Sequence, residues 1–227
     1  MTSLLEKFIS VIAPHRCIMC SKENNVLCAM CMAELFADVY EGCYMCGLPT
    51  IDARPCAACQ KQTPVSHTWV AGTYEAEVRD LIRKYKFSRV RAAYGPLAAV
   101  LDTALPYFAQ EVLVVPVPTV PRHIRIRGYD HAALLAKELA RRRGWRFVPA
   151  LQRRHSLRQV GASKAVRIKQ ANSAFLLAKP QQLAGRTVLL VDDVTTSGAT
   201  ITAAARCLRE ARPAEVCAAV IAKHTLS

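Results

Sequence analysis

A chain of 227 residues with 52% hydrophobic and 21% charged residues can build one α/β core plus a small module, which excludes a disordered or low-complexity protein. The formal net charge of +14 is concentrated: residues 122–169 hold fourteen Lys and Arg against two acids, Asp130 and Glu138. That segment is either a solvated basic face or a surface for a polyanion such as nucleic acid, anionic lipid or a phosphorylated ligand.

At the N-terminus, Leu4, Leu5, Phe8, Ile9 and Ile12 recur at amphipathic helix spacing, with Glu6 and Lys7 inside the apolar stretch. The stretch is too short and too charged for a spanning segment or an export signal. A cytosolic chain is expected, in a compartment where thiols stay reduced.

Eight of the ten cysteines follow as four Cys-x-x-Cys pairs: Cys17 and Cys20, Cys28 and Cys31, Cys43 and Cys46, Cys56 and Cys59. One such pair can aim two thiolates at a tetrahedral Zn²⁺, so four pairs make two structural sites. An iron–sulfur cluster and redox chemistry are the alternatives, and a disulfide framework conflicts with a reducing compartment. The short hops from Cys20 to Cys28 and from Cys46 to Cys56 favour sequential sites over interleaved ones. So small a segment buries little core, and each metal would supply on the order of 10 kcal/mol of folding free energy. Cys207 and Cys217 lie in apolar surroundings and read as core residues.

The cysteine pattern stops near residue 64, which divides the chain into an expected module (1–64) and domain (65–227). In the second part, strands are predicted over 69–74, 112–117, 187–191 and 216–221, and helices over 78–85, 92–101, 134–143 and 201–211. Buried apolar strands alternating with helices predict an α/β fold with a mostly parallel sheet covered on both faces. No Walker A loop, GxGxxG, HExxH or GxSxG is present. Tyr129, Trp145 and Phe147 interleave with the basic residues and could stack on bases, although aromatics at such spacing more often serve a core. Arg141, Arg142, Arg143, Arg153, Arg154, Arg158 and Arg167 are the candidate nucleic-acid contacts.

Residues 188–200, VLLVDDVTTSGAT, end a fully apolar strand in two acids and a hydroxyl-rich loop. Ligands of open α/β sheets sit beyond the carboxyl ends of the strands, so at least one of Asp192 and Asp193 is expected to face solvent there. Thr195, Thr196, Ser197, Gly198, Ala199 and Thr200 lead into the next helix, where backbone N–H groups and hydroxyls can converge on an anion. Helix capping alone needs one hydroxyl, and this loop has four.

The loop is similar to the signature of type I phosphoribosyltransferases, which bind phosphoribosyl pyrophosphate (PRPP). The resemblance implies that Asp192 and Asp193 hold the ribose 2′- and 3′-hydroxyls, that the loop over 196–200 holds the 5′-phosphate, and that Mg²⁺ accompanies PRPP. Residues 114–136, VVPVPTVPRHIRIRGYDHAALLA, further resemble a segment of the ComF competence proteins. So do the four cysteine pairs, Lys86-Phe87, Gln159, Arg167 and Ala174-Phe175, so that the likeness spans essentially the whole chain. It implies a type I phosphoribosyltransferase-like sheet behind a double zinc ribbon, with Pro116, Val117, Pro118, Arg127, Gly128 and Lys86 around the pyrophosphate and Mg²⁺.

Asp130 and His131 depart from the family's usual Asn and Gln, Gln170 from Asn, and Ser197 from Thr. Asp130 would bring negative charge to the pyrophosphate, to be offset by Mg²⁺ or Arg127. Thr196 stands where purine salvage enzymes resembling this motif carry an acid that helps protonate the base. Binding of PRPP without appreciable turnover is therefore expected. The likeness implies a role with incoming single-stranded DNA and uptake-machinery proteins at the cytoplasmic membrane face. Transfer to an unidentified acceptor and PRPP-sensing regulation are the alternatives.

Overall fold

The computed structural model describes residues 16–23, 25–87, 91–154, 174–178 and 180–224. The amphipathic N-terminal segment and Arg158, Gln159, Arg167 and Gln170 lie outside them.

Two short helices, α1 (Ala29–Leu35) and α2 (Ala57–Gln60), follow cysteines in the N-terminal part. Next come β1 (Thr68–Thr73), α3 (Ala76–Phe87), a 3-10 turn (Arg91–Ala93) and α4 (Tyr94–Ala104). The chain continues through β2 (Val112–Pro116), α5 (Pro121–Arg127), α6 (His131–Arg143), β3 (Arg146–Phe147), β4 (Leu151–Arg153) and β5 (Phe175–Leu177). A 3-10 turn (Pro180–Gln182), β6 (Thr187–Thr195), α7 (Ala199–Arg209) and β7 (Glu215–Lys223) complete it.

Five strands form one sheet in the order β1-β7-β6-β2-β3, with every pair parallel. A separate antiparallel pair joins β4 to β5. The central strands are apolar on both faces because both faces are covered. Val112, Val114, Leu189, Val191, Cys217 and Ala219 point into a core with α3, α4 and α6. Leu113, Val115, Val188, Leu190, Val216 and Ala218 point into a second core with α7. Cys207 and Cys217 are buried, as expected for core thiols.

Among the differences from the sequence expectation, three near the site have local reasons. β6 runs to Thr195 rather than ending before the acids, because Asp192, Val194 and Thr195 stay in register with Val220, Ala222 and Lys223 of β7. α6 starts at His131, three residues early, since the Asp130 carboxylate caps it by accepting the Ala133 N–H at 3.1 Å. α5 was not anticipated; Pro121 opens it and Gly128, at φ 84°, closes it.

Candidate ligand cavity and metal sites

The cysteines assemble into two four-thiol clusters, Cys17, Cys20, Cys28 and Cys31, and Cys43, Cys46, Cys56 and Cys59, with the sulfurs of each within 4.8 Å of one another. The pairing is sequential. Within the clusters Cys20 and Cys28 Sγ lie 3.7 Å apart and Cys46 and Cys56 Sγ 3.5 Å apart. The Cys28 N–H points at Cys17 Sγ at 3.4 Å and the Cys31 N–H at Cys28 Sγ at 3.5 Å, donors suited to thiolate. Burial opposes ionisation of Cys17, yet N–H groups of Cys20, Cys28 and Met19 bring it down to about 6. Its neighbour Cys31 is pushed up to about 12, chiefly by Cys28. Four sulfurs so placed compete for negative charge, and a tetrahedral divalent cation resolves the competition. The donor set fits zinc in a structural role.

His67, Glu215 and Cys217 also converge, but their geometry is that of a hydrogen-bonded cluster. Arg54 Nε donates to His67 Nε2 at 3.3 Å, so the ring proton sits on Nδ1, which faces Glu215 at 3.4 Å. Neither ring nitrogen is left for a metal.

The acid pair lies in the last part of β6. Asp193 is 3% exposed, and Lys86 Nζ from α3 and His131 Nε2 from α6 each reach its Oδ2 at 2.8 Å. Both contacts are short, although neither is a well-directed hydrogen bond. Arg127 Nη1 donates to His131 Nδ1 at 2.9 Å, which leaves the ring proton on Nε2, the nitrogen beside Asp193. Burial works against the Asp193 charge, but Lys86 and His131 outweigh it and hold the carboxyl well below the usual range. Asp192 is half-buried and takes the Asp193 N–H at 2.9 Å on its Oδ1. Burial, then the charge of Asp193, raises its proton affinity well above that of an ordinary carboxylate. Of the two acids, Asp192 keeps partial exposure at the end of the sheet, whereas Asp193 is buried because the strand continues past it.

A cavity of about 260 Å³ opens over the pair, lined among others by Lys86, Thr119, His123, Arg127, Arg153 and Thr200. Val117 and Pro118 form part of its wall, whereas Pro116 is the buried last residue of β2 and Gly128 is the left-handed cap of α5. Arg127 is 9% exposed, with its guanidinium 4.7 Å from the centre of the Phe87 ring. Asp130 is engaged at the start of α6, where its Oδ1 caps the helix and accepts the Thr119 hydroxyl at 2.8 Å. Sequence reasoning missed Thr119, His123 and His131 as cavity groups; the Asp130 cap before an Ala-Leu run was the available signal for His131.

Beside the cavity, residues 194–201 enclose a smaller niche, and Val194 and Thr200 line both. Thr195 is buried in the strand, whereas Thr196, Ser197, Ala199 and Thr200 are exposed. Gly198 stands at the N-cap of α7 with φ 71° and no side chain caps this helix. Its first N–H groups therefore remain available to an anion, and the capping-only account of the hydroxyls fails.

The expected basic patch is partly committed elsewhere. Arg143 binds Asp102 and donates to the Pro106 and Leu105 carbonyls at 3.0 Å each, under the Trp145 ring. It clamps α6 to the end of α4, which engages its donors within the chain. Arg141 and Arg142 pair with Glu138 on the surface. Arg153 faces the cavity, donating to the Pro118 carbonyl at 3.0 Å, and Arg154 is exposed. The three aromatics serve the core, the commoner reading of their spacing: Trp145 packs edge-on against Phe108, Tyr129 against Tyr85, and Phe147 against the core.

Residues 127–225 match the phosphoribosyl transferase domain family and residues 8–60 the double zinc ribbon domain family. Competence protein F of Haemophilus influenzae is 30% identical over 216 residues, covering 86% of this chain and 91% of that protein. The chain belongs to the ComF family. Other ComF-like relatives are the DNA utilization protein YhgH of Escherichia coli, 28% identical over 80% of this chain and 83% of its own, and competence protein ComFC of Streptococcus pneumoniae, 24% identical over 86% of each. The ComF chain combines a mostly parallel phosphoribosyltransferase-like sheet with an N-terminal double zinc ribbon. No helix among its described residues is long and apolar enough to cross a membrane.

Proposed function

We propose that this chain is a PRPP-binding competence factor that acts on single-stranded DNA at the cytoplasmic membrane face, and that it holds PRPP more readily than it turns it over. The observation that carries this reading is the junction at Val194 and Thr200, where the cavity over the acid pair adjoins the niche at an uncapped helix start. Asp192 and Asp193 suit the ribose hydroxyls, the N–H groups and hydroxyls of Thr196, Ser197, Gly198, Ala199 and Thr200 the 5′-phosphate, and the side with Lys86, Arg127 and Arg153 the pyrophosphate. Asp192 is the residue that would hold Mg²⁺: burial and the neighbouring Asp193 disfavour its charge, which a cation relieves. When bound, the ion would neutralise charge on the pyrophosphate.

Turnover needs more than binding. Thr196 supplies no acid, and Lys86 and His131 are engaged with Asp193. Transfer of ribose 5-phosphate to an acceptor is the second reading, favoured by the room in the 260 Å³ cavity. Calorimetry with PRPP and Mg²⁺ on wild type and Asp193→Ala, followed by pyrophosphate release with a panel of bases, tests both. Binding lost in Asp193→Ala with no release supports the proposal; release with one base establishes the enzyme; absent binding overturns both. For DNA, salt-dependent retardation of a single strand should weaken when Arg141, Arg142 and Arg154 are neutralised. Retardation unaltered by that change refutes this surface.

A further inference from the structure

The second cysteine cluster touches the anion loop itself. Tyr44 and Met45 are the two residues between the ligand cysteines Cys43 and Cys46. A Cβ built on Gly198 would lie 2.6 Å from Tyr44 Cε2 and 2.9 Å from Met45 Cγ, closer than any real side chain tolerates. Gly198 is thus required twice, by its φ of 71° and by the knuckle pressed against it.

Tyr44 is 1% exposed and packs in the core that holds Ile201 and Ala205 of α7. Its hydroxyl lies 2.9 Å from Thr202 Oγ1 and donates to Thr63 Oγ1 at 2.6 Å. The Thr202 N–H in turn donates to the Gly198 carbonyl at 2.9 Å, so one tyrosine is tied to the first turn of α7 and lies against the loop before it. From beneath, Lys223, 2% exposed, donates to the carbonyls of Thr196 and His224 at 2.6 Å each. The loop is therefore held by the Tyr44-Met45 turn and by Lys223, and its residues line the niche.

We infer that Tyr44 is a positioning residue for the 196–200 loop, and that metal in the second cluster, by fixing the Cys43–Cys46 knuckle, sets the loop's shape while metal in the first does not. The consequence for PRPP rests on the reading of this loop as its phosphate site; the coupling between knuckle and loop does not. A knuckle without its metal loses the constraint that keeps Tyr44 under Gly198, and the converging N–H groups lose their common target.

The full chain is compared with Tyr44→Phe, Tyr44→Ala, Cys46→Ser and Cys20→Ser. Zinc content, amide hydrogen exchange over 196–200, and PRPP·Mg²⁺ affinity are measured for each. Cys20→Ser and Cys46→Ser should each lose one zinc equivalent, but only Cys46→Ser should speed loop exchange, by roughly tenfold or more. Tyr44→Ala should keep both metals, speed the same amides and weaken PRPP about tenfold; Tyr44→Phe, which keeps the ring, should do so about threefold. Equal loop exchange in Cys46→Ser and Cys20→Ser overturns the inference, and so does wild-type exchange in both tyrosine variants. If Tyr44→Ala does not fold, Tyr44→Phe and the cysteine pair decide. A wild type that binds no PRPP ends the proposed function, while the exchange comparison still judges the coupling.

Discussion

The two cysteine lobes have the same ligand spacing and differ in what they lean on. Cys17 and Cys28 of the first lobe join the core shared with Leu81, Ile82 and Tyr85 of α3, and Lys84 Nζ donates to the Ile18 carbonyl at 3.0 Å. The second lobe drives Tyr44 into the opposite core and its knuckle against Gly198. The first lobe supports a helix; the second supports a loop. Identical metal chemistry thus does different work according to whether its neighbour is already rigid, because a helix carries its own hydrogen bonds and a loop does not.

Metal removal is the largest perturbation of this contrast. Native chains should hold two zinc equivalents, and chelation should cost on the order of 10 kcal/mol per site, unfolding both lobes by circular dichroism while the parallel sheet persists. Loss of the sheet together with the lobes would show that neither lobe is a local support. The next effect is smaller and one-sided. Tyr44→Ala should cost roughly 3–4 kcal/mol in denaturant unfolding, and Met19→Ala, at the partly buried knuckle of the first lobe, about 1 kcal/mol. Equal costs would erase the distinction.

The glycines allow a paired test. Gly198→Ala meets both a positive φ and the Tyr44 ring, and should cost roughly 2–3 kcal/mol. Gly72→Ala, in β1, would place its Cβ 3.1 Å from Cδ1 of Phe36 at the end of α1, a contact that a small ring shift relieves at about 1 kcal/mol. Thermal midpoints of the two variants, and of Gly198→Ala combined with Tyr44→Ala, measure how much of the penalty is the knuckle.

What the amino-acid pattern revealed follows the range of the interactions involved. The strands around Val114, Leu189 and Val220 are apolar on both faces and read directly as parallel sheet. The cysteine pairs declare themselves because their ligands are close in sequence. Asp193 was recognisable as a site residue, but not as a buried one, since its partners Lys86 and His131 come from two helices far along the chain. Arg143 reads as one of three surface arginines until Asp102 and the Leu105 carbonyl are placed beside it. Nothing within the CYMC motif announces that Tyr44 meets a loop more than 150 residues away; that contact exists only once the sheet is assembled.

The acid pair supplies the smallest effect and a control for the lobes, because it lies in the last part of β6 and touches neither cluster. Asp192 holds its proton more tightly when folded than when unfolded. Above the ordinary carboxylate range the native state therefore binds more protons than the unfolded state, and its stability falls as pH rises. Asp192→Asn abolishes that loss: the variant should exceed wild type by about 1 kcal/mol at pH 8 and by less at pH 6, while PRPP binding weakens and zinc stays at two equivalents. Asp193→Asn should behave oppositely, since the Asp193 carboxylate is stabilised by Lys86 and His131 and its contribution is complete at neutral pH. Denaturant midpoints at the two pH values check both signs. A change in zinc content or in loop exchange with Asp192→Asn would mean that the acids, and not the second lobe alone, govern the loop.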